Sequence, residues 1–141
     1  MAQAPAAVDG MTSGIERLGQ RPRMADGSLA AYSPVVRAGP LVFVSGQLPF
    51  DPDRRVIAGG VVEHTRRCYA NVFALLEAAG CGRERIVKTV NYLAREEDFG
   101  AFNSVYLEVF GDLLPARSTV VARLLVPAAA LEVDVIAYVG P

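Results

Sequence analysis

One arginine, Arg117, stands in a Pro-Ala-Arg-Ser corner, and two carboxylates, Glu132 and Asp134, follow at alternate positions of an apolar segment. A guanidinium presents a planar fork of donors that matches a carboxylate, and its charge does not switch off at working pH. A carboxylate can orient or deprotonate water. An arginine and a carboxylate facing one cleft would therefore suit the capture of a small organic acid and its attack by water. By residue type alone, the same groups also suit an ion pair across a sheet or at an interface.

Other chemistries have less to work with. Of 14 basic residues only Lys88 is a lysine, which thins out Schiff-base mechanisms. The single histidine, His64, has no Ser or Cys partner indicated, so it is read as structural. Cys68 and Cys81 have neither a disulfide pattern nor zinc-ligand spacing, and free thiols point to a reducing cytosol. Asp51 and Asp53 flank Pro52 with no further ligand nearby, which is turn chemistry rather than a metal site. No metal site is indicated.

At 141 residues the chain fits one domain, and 52% hydrophobic with 21% charged residues is the balance of a globular protein. Its formal net charge of −1 provides no field to draw in a polyanion, so nucleic acid is not an expected partner. The N-terminal MAQAPAAVDG lacks the basic start and apolar core of a secretory signal, and no apolar run approaches the ~18 residues of a membrane span.

The elements that must position these groups follow from periodicity. Residues 1–28 show no sustained period and are expected to form a flexible arm, with GIERLG docking locally; residues 29–141 form the domain. SPVVRAG and PLVFVSG, joined by Ala38-Gly39-Pro40, predict a hairpin, followed by a loop with a short strand at Val56-Ile57. A helix is predicted from about Val62 to Ala79, stopped at Gly80, with Arg66, Arg67, Asn71 and Glu77 on a solvated face. A strand over Ile86–Leu93, a helix over Phe99–Phe110, and strands over Ser118–Val126 and Leu131–Val139 complete the order. In the last strand Leu131, Val133, Val135 and Ala137 share one face and Glu132, Asp134, Ile136 and Tyr138 the other. The result is an α+β domain with two helices on one face of a mixed sheet.

Several words in this order resemble one family. Tyr32-Ser33-Pro34 before VRAG, LVFVSGQLPFDP, NVFALLEAAG, VKTVNYL, the Asp98–Tyr106 stretch, PARSTV and LEVDVIA together resemble the RidA family, also called YjgF or L-PSP endoribonuclease. The resemblance implies a chorismate-mutase-like fold, a homotrimer around a central barrel, and pockets between neighbouring subunits. It implies a cofactor-independent hydrolysis of 2-enamine and 2-imine acids of the 2-aminoacrylate type to 2-keto acids and ammonia. By the matching words, Arg117 would bind the substrate carboxylate and Glu132 would position the water. Tyr32, Ser45, Gly46, Asn103 and Thr119 would line the pocket.

The chain departs from the family pattern in a longer N-terminal arm, in AAYS where GPYS is common, and in VVARLLVPAAA after the PARS word. These departures bear on substrate choice. They keep open a pathway-specific imine-processing role, such as a 2-aminomuconate deaminase-like one, or a non-catalytic or ribonuclease-like member. The near-zero charge and the lack of a basic stripe with interleaved aromatics count against RNA cleavage.

Overall fold

The computed structural model of the chain describes residues 14–141. Eight elements follow in order: β1 (Ile15–Leu18), β2 (Val35–Ala38), β3 (Leu41–Gln47), α1 (Val61–Ala78), β4 (Ile86–Leu93), α2 (Phe99–Phe110), β5 (Ala116–Val121) and β6 (Leu131–Tyr138). The strands form one sheet in the order β1-β2-β3-β6-β4-β5. Only the β4–β5 pair is parallel, and α2 provides the crossover that such a pair needs. β3 and β4 each pair antiparallel with β6, so the last strand is inserted between two strands joined by α1.

Both helices pack on one face of this sheet, as their apolar stripes require. Cys68, Tyr69, Val72 and Leu76 of α1 and Phe102, Tyr106 and Phe110 of α2 close over Val42, Val44, Leu131, Val133, Val135 and Ala137. Tyr69, Tyr106 and Phe110 meet with ring centroids 5.7, 5.2 and 4.6 Å apart. Aromatic pairs of this kind add about 0.5–1.5 kcal/mol each beyond the area they bury. β6 alternates as the sequence requires: its odd-numbered residues from Leu131 to Ala137 are buried, while Glu132, Asp134 and Ile136 lie half-buried on the open face.

The helix ends are set locally. The Gly60 N–H donates to the Glu63 carboxylate at 3.0 Å, half of a capping box at the start of α1. Past its last turn Gly80 takes φ 76°, and the Cys81 N–H returns to the Leu76 carbonyl at 2.8 Å. No helix among the described residues is long and apolar enough to cross a membrane.

Three expectations change. GIERLG docks as expected, but as a strand of the sheet and not as part of a loose arm: Ile15–Leu18 pairs antiparallel with β2, Leu18 opposite Val35, while residues 1–13 of the expected arm lie outside the described residues. Its four residues are too short a period to read, and the strand is fixed by β2 rather than by its own propensity. The short strand at Val56-Ile57 is a single bridge from Val56 to Phe50. The strand expected over Ser118–Val126 stops at Val121, because β4, its only neighbour, ends at the Leu93–Val121 pair. The apolar run beyond has no partner strand among the described residues, and Leu125 is 99% exposed.

Candidate functional site

Arg117 lies on β5 opposite Thr89 of β4. Thr89 is fully buried and its hydroxyl meets the Tyr106 hydroxyl at 2.8 Å, so this register places both side chains on the helix face. There the guanidinium sits 4.8 Å from the Tyr106 ring centre, with Phe102 at 5.7 Å and Phe99 at 5.8 Å. Its Nη1 donates to Asn103 Oδ1 at 2.7 Å. Among the described residues it forms no salt bridge. An arginine stacked on rings and held by a neutral amide keeps its charge uncompensated and its remaining donors in a fixed plane.

A buried polar chain supports this arrangement. Tyr69 donates its hydroxyl to Asn91 Oδ1, and Asn91 Nδ2 donates to Thr89 Oγ1 at 3.2 Å and to the Ser118 carbonyl at 3.4 Å. Thr89 then meets Tyr106, whose ring lies beneath Arg117. Thr119, two positions after the arginine, has a buried hydroxyl without a partner. An unpaired buried hydroxyl costs free energy.

Glu132 belongs to a second region. It pairs with Tyr92 of β4, three positions from Thr89, so its side chain leaves the opposite face of the sheet from Arg117, with β4 between the two strands. Gly46 lies within the register shift of β3 between Val44 and Gln47, and a Cβ there would fall 2.0 Å from Glu132 Oε1. Only glycine permits so close an approach. Burial, and after it the charge of Asp134, pushes the Glu132 carboxyl above the usual carboxylate range. Burial likewise raises Asp134, opposed by the Tyr92 hydroxyl that donates to Asp134 Oδ2 at 3.2 Å. That bond gives Asp134 a hydrogen-bond partner within the chain.

The other residues expected at the site lie as follows. Ser45 donates its hydroxyl to the Ser33 carbonyl at 2.5 Å, which ties β3 to the segment before β2. Tyr32 is 40% exposed and lines, with Gly46, a cavity of about 310 Å³ beside α1. Asn103 acts on Arg117. A larger hollow of about 470 Å³ at the C-terminal end of α1 contains none of the expected site residues.

His64 is structural, as expected. The Ala130 N–H donates to its Nδ1 at 3.0 Å, which requires the proton on Nε2, and Nε2 donates to the Ile57 carbonyl at 2.9 Å. The ring thus clamps the loop after β3 to the turn before β6. The predicted solvated face of α1 needs correction. Arg66 does pair with Glu108 in solvent, but Asn71 donates to the Leu48 and Phe50 carbonyls at 3.1 and 3.0 Å, and Arg67 is half-buried in the cavity. The sequence reading also missed Tyr106, Thr89 and Asn91 as supports of the arginine. Their signal was available: Thr89 and Asn91 are polar residues on the buried phase of an apolar strand.

A mixed sheet carrying two helices, with an uncompensated arginine and a perturbed carboxyl at separate places, defines a small α+β ligand-binding domain. The family model described as Endoribonuclease L-PSP matches residues 23–139, and the chain belongs to that family, the RidA or YjgF family. It is 35% identical over 118 residues to the 2-iminobutanoate/2-iminopropanoate deaminase of Mus musculus, covering 83% of this chain and 87% of the relative. It is 36% identical over 111 residues to a RutC family protein of Pyrococcus horikoshii, covering 78% and 88%. The crystal structure of Escherichia coli TdcF with bound serine superposes with a TM-score of 0.72 at 32% identity, covering 79% of this chain and 90% of that one.

Proposed function

We propose that the protein hydrolyses 2-imino acids and their 2-enamine tautomers of the 2-aminoacrylate type to 2-keto acids and ammonia. The observation that carries this reading is Arg117: a partly buried guanidinium, stacked on Tyr106 and oriented by Asn103, with no acid among the described residues to neutralise it. Such a group is built to receive a carboxylate from outside the chain. The mammalian relatives named for imine deamination support the chemistry, and the amino acid bound to TdcF supports the ligand size.

The balanced reaction is R–C(=NH₂⁺)–COO⁻ + H₂O → R–CO–COO⁻ + NH₄⁺. Arg117 holds the substrate carboxylate in a bidentate pair, which fixes the imine carbon. Glu132, ionised, takes a proton from water as its oxygen bonds to that carbon and passes it to the nitrogen; the C–N bond then breaks as the carbinolamine hydroxyl gives its proton to Glu132, which returns it to the released ammonia as NH₄⁺. A carboxyl raised toward neutrality suits both halves of that transfer. Thr119 offers its unpartnered hydroxyl to the substrate.

Arg117 and Glu132 leave opposite faces of the sheet. One chain therefore cannot close both around a three- or four-carbon acid, and the complete site takes the arginine from one copy and the glutamate from a neighbouring copy. A homotrimer with three such sites satisfies this. The test is co-expression of Arg117→Ala with Glu132→Gln. At concentrations of dehydratase-formed imine below the wild-type KM each variant alone retains about 1% of wild-type activity or less, whereas mixed oligomers regain about a quarter of it, because random assembly pairs an intact arginine with an intact glutamate at that frequency. No recovery, with wild type active, would refute the shared site; no acceleration by wild type would refute the deaminase reading.

A further inference from the structure

The cavity beside α1 has a composition that a small alkyl side chain does not explain. Its lining residues include Arg67, half-buried, and Arg54, exposed, and neither forms a salt bridge among the described residues. The one acid on that wall, Asp51, directs Oδ1 to the backbone N–H groups of Asp53 and Arg55, each at 2.9 Å. The charge balance of the lining is therefore positive, with the acid engaged in its own turn.

The wall is also held in place. Asn71 donates both amide hydrogens to the loop carbonyls of Leu48 and Phe50, and His64 fixes the same loop further along at Ile57. Arg54 occupies the left-handed region at φ 59° in a turn closed by its N–H to the Asp51 carbonyl, and its guanidinium lies 4.8 Å from the Phe50 ring centre. A bulky side chain is rarely found in that backbone region unless its surroundings enforce it. Gly46, against which the Glu132 carboxylate packs, forms part of the same wall.

We propose that this cavity receives a second carboxylate, carried on the substrate's side chain, so that the preferred substrates are imino or enamino diacids such as 2-iminosuccinate and 2-iminoglutarate. The assignment rests on the imino-acid reading of the Arg117 and Glu132 regions. Arg67 and Arg54 take the distal carboxylate while the α-carboxylate goes to Arg117 of the neighbouring copy. A volume of about 310 Å³ accommodates a short acidic side chain. A monoacid leaves both guanidiniums without an anion, and a site built around a charged group discriminates strongly against an analogue that lacks it.

The test compares the intact protein with Arg67→Gln and Arg54→Gln. Imines are generated in situ by flavin oxidases from D-aspartate, D-glutamate and D-alanine, and kcat/KM is measured for each. Wild type favours the diacid imines by about tenfold or more, and Arg67→Gln lowers the diacid-to-monoacid ratio about 10- to 100-fold, with a smaller fall for Arg54→Gln. A ratio that is unchanged in both variants overturns the proposal. A calorimetric titration with 2-oxoglutarate and with 2-oxobutanoate separates the two readings: tighter binding of the diacid, lost in Arg67→Gln, upholds the cavity assignment even if no imine is turned over. Equal binding of the two keto acids overturns it while leaving monoacid deamination intact. Succinate that changes monoacid turnover through Arg67, without any diacid preference, would make the cavity an effector site and would overturn the substrate assignment.

Discussion

The arginine region and the glutamate region are built on opposite strategies. Arg117 is surrounded by neutral groups, three aromatic rings and the Asn103 amide, and among the described residues it forms no salt bridge. Glu132 sits against the bare backbone of Gly46 with a second carboxylate two residues away, and both acids are pushed up by burial. A binding group must keep its charge and orientation, which aromatic stacking and an amide bond preserve. A proton-transfer group must be close to changing its charge, which burial and a like-charged neighbour provide. Keeping the two on separate faces prevents them from neutralising each other within one chain.

Substitutions can break that comparison from either side. The largest effect is expected from Glu132→Gln, which preserves shape but cannot take a proton: kcat should fall about 10² to 10⁴-fold with little change in KM, measured by imine decay. Arg117→Ala should lower kcat/KM by about 10²-fold, chiefly through KM, since the charge-assisted bonds it makes are worth about 1.5–3 kcal/mol each. If both variants altered kcat and KM in the same proportion, the division of labour would be wrong. Gly46→Ala introduces a methyl group where Glu132 Oε1 now lies, and the displaced carboxylate should cost about 10- to 100-fold in kcat.

The smallest and most diagnostic change is Asp134→Asn. Its charge helps to raise Glu132, so the acidic limb of the activity profile should move to lower pH, because the base then remains ionised further into acid. The stability sign is opposite to that of a salt-bridged acid. Both carboxyls have folded values above their unfolded ones, so between those values the folded chain holds more protons. Stability therefore falls as pH rises through that window. At neutral pH Glu132→Gln and Asp134→Asn should each raise Tm in a melting scan, and a lower Tm would contradict the unfavourable burial assigned to both.

Much of this was legible in the residues, and the failures have identifiable causes. The alternation of β6 and the stripe of α2 are periodic signals long enough to read, and both match the structure in extent to within a residue. Strand ends depend on partners: nothing in Ala122–Val126 announces that β4 has already ended. Arg117 and Glu132 were visible by type and by family words, but their opposite faces follow from register with β4, which no local pattern encodes. Arg67 looked like one more solvated arginine because the loop that encloses it is held by Asn71, twenty-odd residues away from its carbonyl partners.

The polar chain under the arginine has a consequence for timing. Tyr69, Asn91, Thr89 and Tyr106 are all buried, and the two phenol groups hydrogen-bond inward to Asn91 and Thr89. Their hydroxyl protons can reach solvent only when the helices part from the sheet. In proton NMR those two signals should persist against exchange with water, with lifetimes set by the opening of the helix layer. The platform beneath Arg117 thus contains its own clock for how often the domain opens.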